Sequence, residues 1–78
     1  MSNEIAIIKA IAEHLGLSPE DVDRGATLRD DLNLSPIELN DLLSALAKQF
    51  DITFQSEDVE NLNRVEDLIV LVEDNLID

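Results

Sequence analysis

Apolar residues recur along most of this 78-residue chain at the spacing of an amphipathic α-helix, and this periodicity constrains the fold more than any other feature. In the clearest segment, large apolar residues occupy positions i, i+3, i+4, i+7 and i+11, which lie on one face of a helix. Its members are Leu39, Leu42, Leu43, Leu46 and Phe50. The pattern predicts a long helix with one buried face.

A first helix is predicted from about Asn3 to Leu15, where isoleucine and alanine recur on one face. Gly16 follows, at the position where many helices end in a left-handed residue. Residues 17–34 mix turn-forming residues with isolated apolar ones, so they predict a long loop that is anchored to the core. The apolar anchors are Leu17, Val22, Leu28, Leu32 and Leu34.

Two shorter segments predict the remaining helices. Residues 56 to about 62 predict a short helix with Ser56 as its N-cap. A last helix is predicted to begin at Asn63, whose side chain would form a capping box with Glu66. Residues 52–54 have strand propensity, but three residues without a partner strand do not make a sheet.

The predicted fold class is therefore all-α, with three longer helices, one short helix and a long loop between the first two helices. The length leaves room for one small domain, so residues 1–78 are expected to form a single domain. The chain contains no cysteine, which excludes disulfides. Its stability must come from helix packing.

Acidic residues outnumber basic ones by 18 to 5, and the formal net charge is −13. A chain with this charge repels phosphate backbones and anionic lipid surfaces, which argues against nucleic-acid and membrane partners. The expected partners carry basic patches. No apolar run approaches the ~20 residues of a membrane span, and the N-terminus lacks the pattern of a secretory signal. We therefore expect a cytoplasmic protein, and a monomer.

Few residues in the sequence are suited to catalysis or metal binding. With no cysteine and a single histidine, His14, the chain assembles neither a nucleophilic constellation nor a zinc site. Asp21 begins a segment that resembles a calcium loop, but its glycine comes one position early and its twelfth residue is Leu32 rather than glutamate. We expect a protein that is not an enzyme and that binds no metal.

The order of several short segments resembles the acyl carrier proteins, the small acidic four-helix bundles of fatty-acid and polyketide synthesis. These segments are HLGLSPEDVD, ATLRDDLNL, LLSALAKQFDI and VEDLIVLVED, and together they span nearly the whole chain. The resemblance implies an acyl-carrier-like bundle that holds an acyl group as a thioester on 4′-phosphopantetheine. Its partners would be synthase components and the transferase that attaches this arm.

The family attaches the arm to a serine hydroxyl, typically in an Asp-Ser-Leu triplet at the start of the second helix. Aligned without gaps on the preceding DDL and the following leucines, this triplet falls on Ser35, Pro36 and Ile37. Proline has no hydroxyl, so a phosphodiester cannot form at Pro36. Ser35, one residue earlier, is the nearest candidate for attachment of 4′-phosphopantetheine.

Ser35 also has a structural interpretation, because the sequence SPIE at residues 35–38 has the composition of a capping box with proline at the first helical position. The sequence SPED at residues 18–21 repeats the arrangement at a place where no attachment is expected. It predicts a turn or a one-turn helix there. The repeat favours a capping role for Ser35 over its modification.

Partner enzymes of the family bind the acidic face of the second helix, which makes exposed acids near this helix the expected docking residues. They are Asp30, Asp31, Glu38, Asp41, Glu57, Asp58 and Glu60. The alternative is that these acids only solvate exposed faces and complement helix N-termini.

Two functions stay open at this point. In the first, the chain is an acyl carrier with the arm on Ser35 and a small acyl cavity among its apolar residues. The cavity residues would be Ile7, Ile11, Leu42, Leu46, Leu62 and Leu68. In the second, the carrier fold persists without the arm and acts as a non-catalytic interaction or regulatory module.

Overall fold

Four α-helices lie in the part of the chain that the computed structural model describes, residues 3–76. They are α1 (Glu4–Leu15), α2 (Pro36–Phe50), α3 (Ser56–Glu60) and α4 (Val65–Leu76), with a 3₁₀ turn (Pro19–Asp21) in the loop between α1 and α2. This architecture confirms the predicted all-α fold with three longer helices and one short one. No helix within this range is long and apolar enough to cross a membrane.

The predicted end of the first helix is confirmed, since α1 ends at Leu15. Gly16 has a φ of 72° and closes α1 in the left-handed conformation, which glycine adopts without steric cost. The third helix differs from its prediction: Ser56 is its first helical residue rather than its cap. Gln55 precedes it and makes no capping hydrogen bond through its side chain. The predicted role of Ser56 is therefore wrong, and α3 is only five residues long.

The start of α4 is capped by a different acid from the one predicted. The Asp67 carboxylate accepts hydrogen bonds from the amides of Asn63, at 3.2 Å, and Arg64, at 2.9 Å. Glu66 instead donates its amide to the carbonyl oxygen of Arg24 at 2.9 Å. The predicted capping box between Asn63 and Glu66 is wrong, because the neighbouring carboxylate reaches the free amides.

The core is built from apolar side chains, and no polar or charged residue is buried within residues 3–76. Three helices, α1, α2 and α4, supply most of it, while α3 contributes the partly buried Val59. The loop between α1 and α2 adds three buried anchors. The largest fully buried side chains are those of Ile7, Ile11, Leu28, Leu42, Leu46, Val65, Leu68, Ile69 and Val72.

The long loop after α1 is held in place by buried apolar side chains and by backbone hydrogen bonds. Val22, Leu28 and Leu34 are at most 6% exposed, as predicted, whereas Leu17 stays 40% exposed. The amide of Leu28 donates to the carbonyl oxygen of Asn63 at 2.8 Å, which ties the loop to the start of α4. These contacts hold in place the segment that leads into α2.

Candidate functional site

The entrance of α2 is formed by a buried leucine, an extended serine and a proline. Leu34 is 6% exposed and donates its amide to the carbonyl oxygen of Leu28 at 3.1 Å, which fixes where the helix starts. Ser35 follows with φ −75° and ψ 164°, and Pro36 is the first helical residue. Proline suits this position because its fixed φ is helical and its missing N–H would have no partner within the helix.

Ser35 and Glu38 form the predicted capping box. The Glu38 amide donates to Ser35 Oγ at 3.2 Å, and the Ser35 amide donates to Glu38 Oε1 at 3.1 Å. Two amides that the helix leaves free are thereby satisfied. The capping role of Ser35 is confirmed.

The matching sequence at residues 18–21 behaves differently. It forms the 3₁₀ turn that was predicted as one alternative, but the Ser18 side chain makes no capping hydrogen bond. The turn is closed by the backbone, since the Asp21 amide donates to the Ser18 carbonyl oxygen at 2.9 Å. The Ser35 side chain therefore caps a helix, whereas the Ser18 side chain does not.

The capping box also changes the acidity of Glu38. The backbone hydrogen bond from Ser35 and, second, the interaction with its hydroxyl lower the pKa of the Glu38 carboxyl below the usual glutamate value. Because the side chain is fully exposed, desolvation opposes this effect only weakly. Glu38 is thus held in its charged form next to the start of α2.

A groove lies beside Pro36, between the start of α2 and the segment that contains α3. Its volume is about 560 Å³, and Leu28, Leu39, Val59 and Leu62 supply its apolar lining. This groove could not be predicted from the sequence, because its lining residues come from three segments that are distant from one another along the chain. Ile37, the third residue of the aligned triplet, is 76% exposed and stands outside the periodic apolar positions of α2.

All seven predicted docking acids are exposed, and four of them line three different grooves. Glu38 and Asp41 line a groove with His14, Leu15 and Leu34, between the end of α1 and the start of α2. Acids from α3 line different grooves. Glu60 lies with Pro36 in the groove between α2 and α3, and Asp58 lies in a groove between α3 and α4. Asp30 and Asp31 lie in the loop before α2, and Glu57 lies in α3.

Asp31 has a structural role in addition to its charge. Its carboxylate accepts a hydrogen bond from the Thr27 amide at 2.8 Å, while its own amide donates to Thr27 Oγ1 at 3.0 Å. Among the seven acids, Asp31 and Glu38 therefore stabilise local backbone. The other five side chains form no hydrogen bond or ion pair with another described residue.

The six residues expected to enclose an acyl cavity mostly belong to the packed core. Ile7, Ile11, Leu42 and Leu68 are fully buried, and Leu46 is 1% exposed. The sixth, Leu62, is partly buried and lines the groove beside Pro36. Leu62 therefore contributes to an open groove beside α2, whereas the other five residues are packed in the core.

Comparisons with known proteins agree with this geometry. The family described as "Phosphopantetheine attachment site" matches residues 6–72. An acyl carrier protein of Chlamydia muridarum is 32% identical over 74 residues, 95% of this chain and 96% of its own. This chain belongs to the acyl carrier protein family. An acyl carrier protein of Exiguobacterium sp. is 31% identical over 72 residues, 92% of this chain and 91% of its own.

A solved structure shares the fold. The crystal structure of an acyl carrier protein from Thermotoga maritima superimposes with a TM-score of 0.74 at 25% sequence identity, covering 91% of this chain and 82% of that one. Acyl carrier proteins are carriers rather than catalysts, which confirms that the chain is not an enzyme. They interact with synthase and transferase enzymes, and their usual prosthetic group is 4′-phosphopantetheine.

The residues at the entrance of α2 fit this prosthetic group poorly. Position 36, where the sequence alignment places the attachment serine, holds a proline without a hydroxyl. Ser35 has an exposed hydroxyl, but its oxygen already accepts the Glu38 amide. The α2 entrance therefore offers the exposed hydroxyl of Ser35 and no hydroxyl at residue 36.

The capping bond gives a first prediction. We expect S35A to lower the free energy of unfolding by about 1 kcal/mol, because the Glu38 amide loses its acceptor. The control is S18A, which removes the same atoms from a serine without a capping bond and should change stability by less than about 0.5 kcal/mol. Urea unfolding followed by circular dichroism measures both. Equal losses in the two variants would contradict the assignment.

The lowered pKa of Glu38 gives a second prediction, with a definite sign. Its contribution to stability is present above the unfolded-state pKa and is lost as pH falls through the folded-state pKa. NMR titration of the side-chain carbon should show Glu38 titrating below the usual glutamate value. In S35A the pKa should rise part of the way, since the amide of residue 35 still donates. An ordinary pKa in the unsubstituted protein would refute the capping box in solution.

Proposed function

We propose that this member of the acyl carrier protein family works without a prosthetic arm, as an interaction module that docks on enzymes of fatty-acid or polyketide-type synthesis. The single observation that carries the proposal is Pro36 at the first position of α2. The protein would act in the cytoplasm as a monomer. Its partners would be synthase components or the transferase, bound through basic patches.

The geometry of Ser35 supports the absence of the arm. Consecutive Cα atoms are about 3.8 Å apart, so Ser35 presents its hydroxyl from a displaced position relative to residue 36. A group-transfer reaction requires the reacting atoms to be placed much more accurately than this distance, so a hydroxyl displaced by one residue is poorly positioned. The hydroxyl oxygen is also engaged in the capping box, and a transferase would have to accept Pro36 directly after its target.

The charge distribution supports docking. Glu38 and Asp41 are exposed on the first turns of α2, and no described basic residue pairs with either carboxylate. Unpaired carboxylates of one sign attract a basic patch over a distance set by the ionic strength. Asp30, Asp31, Glu57, Asp58 and Glu60 would extend this negative field around the α2 entrance without being part of one contact face.

A second function, an acyl carrier loaded at Ser35, is favoured by one observation. The Ser35 side chain is exposed at the start of α2, next to the groove of about 560 Å³ that contains Pro36. A transferase that tolerates proline would find a hydroxyl there. Loading therefore has to be tested directly.

The loading test compares the unsubstituted protein with S35D/P36S. Asp remains a good N-cap, and the pair restores the Asp-Ser order that the family carries. Both proteins are incubated with coenzyme A and with phosphopantetheinyl transferases, including that of the host, and intact mass is measured. We expect an adduct on S35D/P36S and none on the unsubstituted protein, because Pro36 has no hydroxyl.

An adduct on the unsubstituted protein that disappears in S35A would overturn the proposal and establish the loaded carrier. If neither protein is modified, residues other than 35 and 36 also prevent attachment of the arm, and the proposal stands.

The docking face is tested with E38Q/D41N, which removes two charges while glutamine still serves the capping box. We expect binding to a purified host synthase component to weaken about three- to tenfold at low salt, since each exposed ion pair contributes about 0.2–1 kcal/mol. The matched control, E13Q/E20Q, removes two exposed charges elsewhere and should have a smaller effect. Surface plasmon resonance measures both. Equal weakening would show that net charge alone governs binding.

A further inference from the structure

A second groove lies between α3 and α4, and it shares Asn61 and Leu62 with the groove beside Pro36. Its volume is about 260 Å³, and its apolar lining consists of Leu62, Val70 and Leu71. Val70 is 52% exposed, whereas the core-facing residues of α4 are fully buried. Val70 therefore lies outside the buried face of its helix and presents apolar surface to the groove.

The polar lining of this groove is acidic. Asp58, Asp67 and Asp74 line it together with Asn61, and no basic residue does so. Asp67 is engaged in capping α4, because its carboxylate accepts from two backbone amides. The side chains of Asp58 and Asp74 form no hydrogen bond or ion pair with another described residue. Two free carboxylates thus stand beside an exposed valine.

The size and charge of the groove argue against most occupants. Drug-sized ligands occupy pockets of roughly 300–1,000 Å³, which is larger than this one. A second copy of the chain would bring another net charge of −13. Within residues 3–76, no group of three potential ligand side chains could hold a metal ion. A cationic segment of another protein suits both the apolar lining and the carboxylates.

We propose that the groove between α3 and α4 binds a basic helical segment of a partner protein. An apolar side chain of that segment packs on Val70, while lysine or arginine residues pair with Asp58 and Asp74. The surface is separate from the groove that Glu38 and Asp41 line. The proposed binding does not depend on whether Ser35 carries an arm.

The test uses NMR titration of the 15N-labelled protein with a synthetic amphipathic peptide. The peptide has about 15 residues, enough to form a helix in contact with a surface, and carries one leucine between lysines. A matched peptide has glutamine in place of the leucine and the same charge. We expect amide shift changes centred on Val70 and Leu71, and binding about tenfold tighter for the leucine peptide.

Variants locate the contact. V70S should abolish the preference for the leucine peptide, and D58N/D74N should weaken both peptides. I5S is the matched control, because Ile5 is 70% exposed on α1 and does not line the groove. Its affinity should equal that of the unsubstituted protein. Thermal unfolding of each variant shows that the fold is kept.

Three results would overturn the proposal. Equal binding of the two peptides would mean attraction by charge alone. Shift changes centred on Glu38 and Asp41 would place the peptide on the α2 face. Binding that is unchanged in both V70S and D58N/D74N would exclude the groove.

Discussion

Burial of the apolar face of α2 is the interaction on which the rest of this structure depends. Leu42 and Leu46 are at most 1% exposed and pack in a core that contains no polar side chain within residues 3–76. This packing must hold a chain with a net charge of −13 together without disulfides, against its own electrostatic repulsion. Because the core is wholly apolar, none of the described charged side chains is buried.

The α2 entrance shows that this helix has a stable start without a hydroxyl at residue 36. Pro36 and the capping box of Ser35 and Glu38 give the helix a stable start. Proline has no hydroxyl, so residue 36 cannot carry a phosphodiester. In the function that we propose, the residue that begins α2 is also the reason that the arm is absent.

The helices were predictable because their signal is local, whereas the grooves and two of the caps were not. The apolar period of α2 follows from residues within four positions of one another. Asp67 rather than Glu66 caps α4. The Glu66 amide instead donates to the backbone carbonyl oxygen of Arg24, a residue that is distant in sequence. The groove beside Pro36 likewise joins Leu28 to Val59. Such contacts leave no periodic pattern in the sequence.

The two serine-proline sequences show why a motif alone does not define a site. A capping bond needs an amide at the third helical position and a helix that continues beyond it. The helix that begins at Pro36 has 15 residues, so Glu38 presents its amide to Ser35. After Pro19 the turn ends at the extended, buried Val22, and Ser18 has no such bond.

Capping and docking at Glu38 are compatible. Its carboxylate uses Oε1 to accept the Ser35 amide, and a carboxylate has roughly four acceptor positions on two oxygens. A partner cation can therefore bind the second oxygen while the helix start stays intact. Since the capping box keeps Glu38 charged, the interaction that stabilises α2 also preserves the charge that a basic partner would recognise.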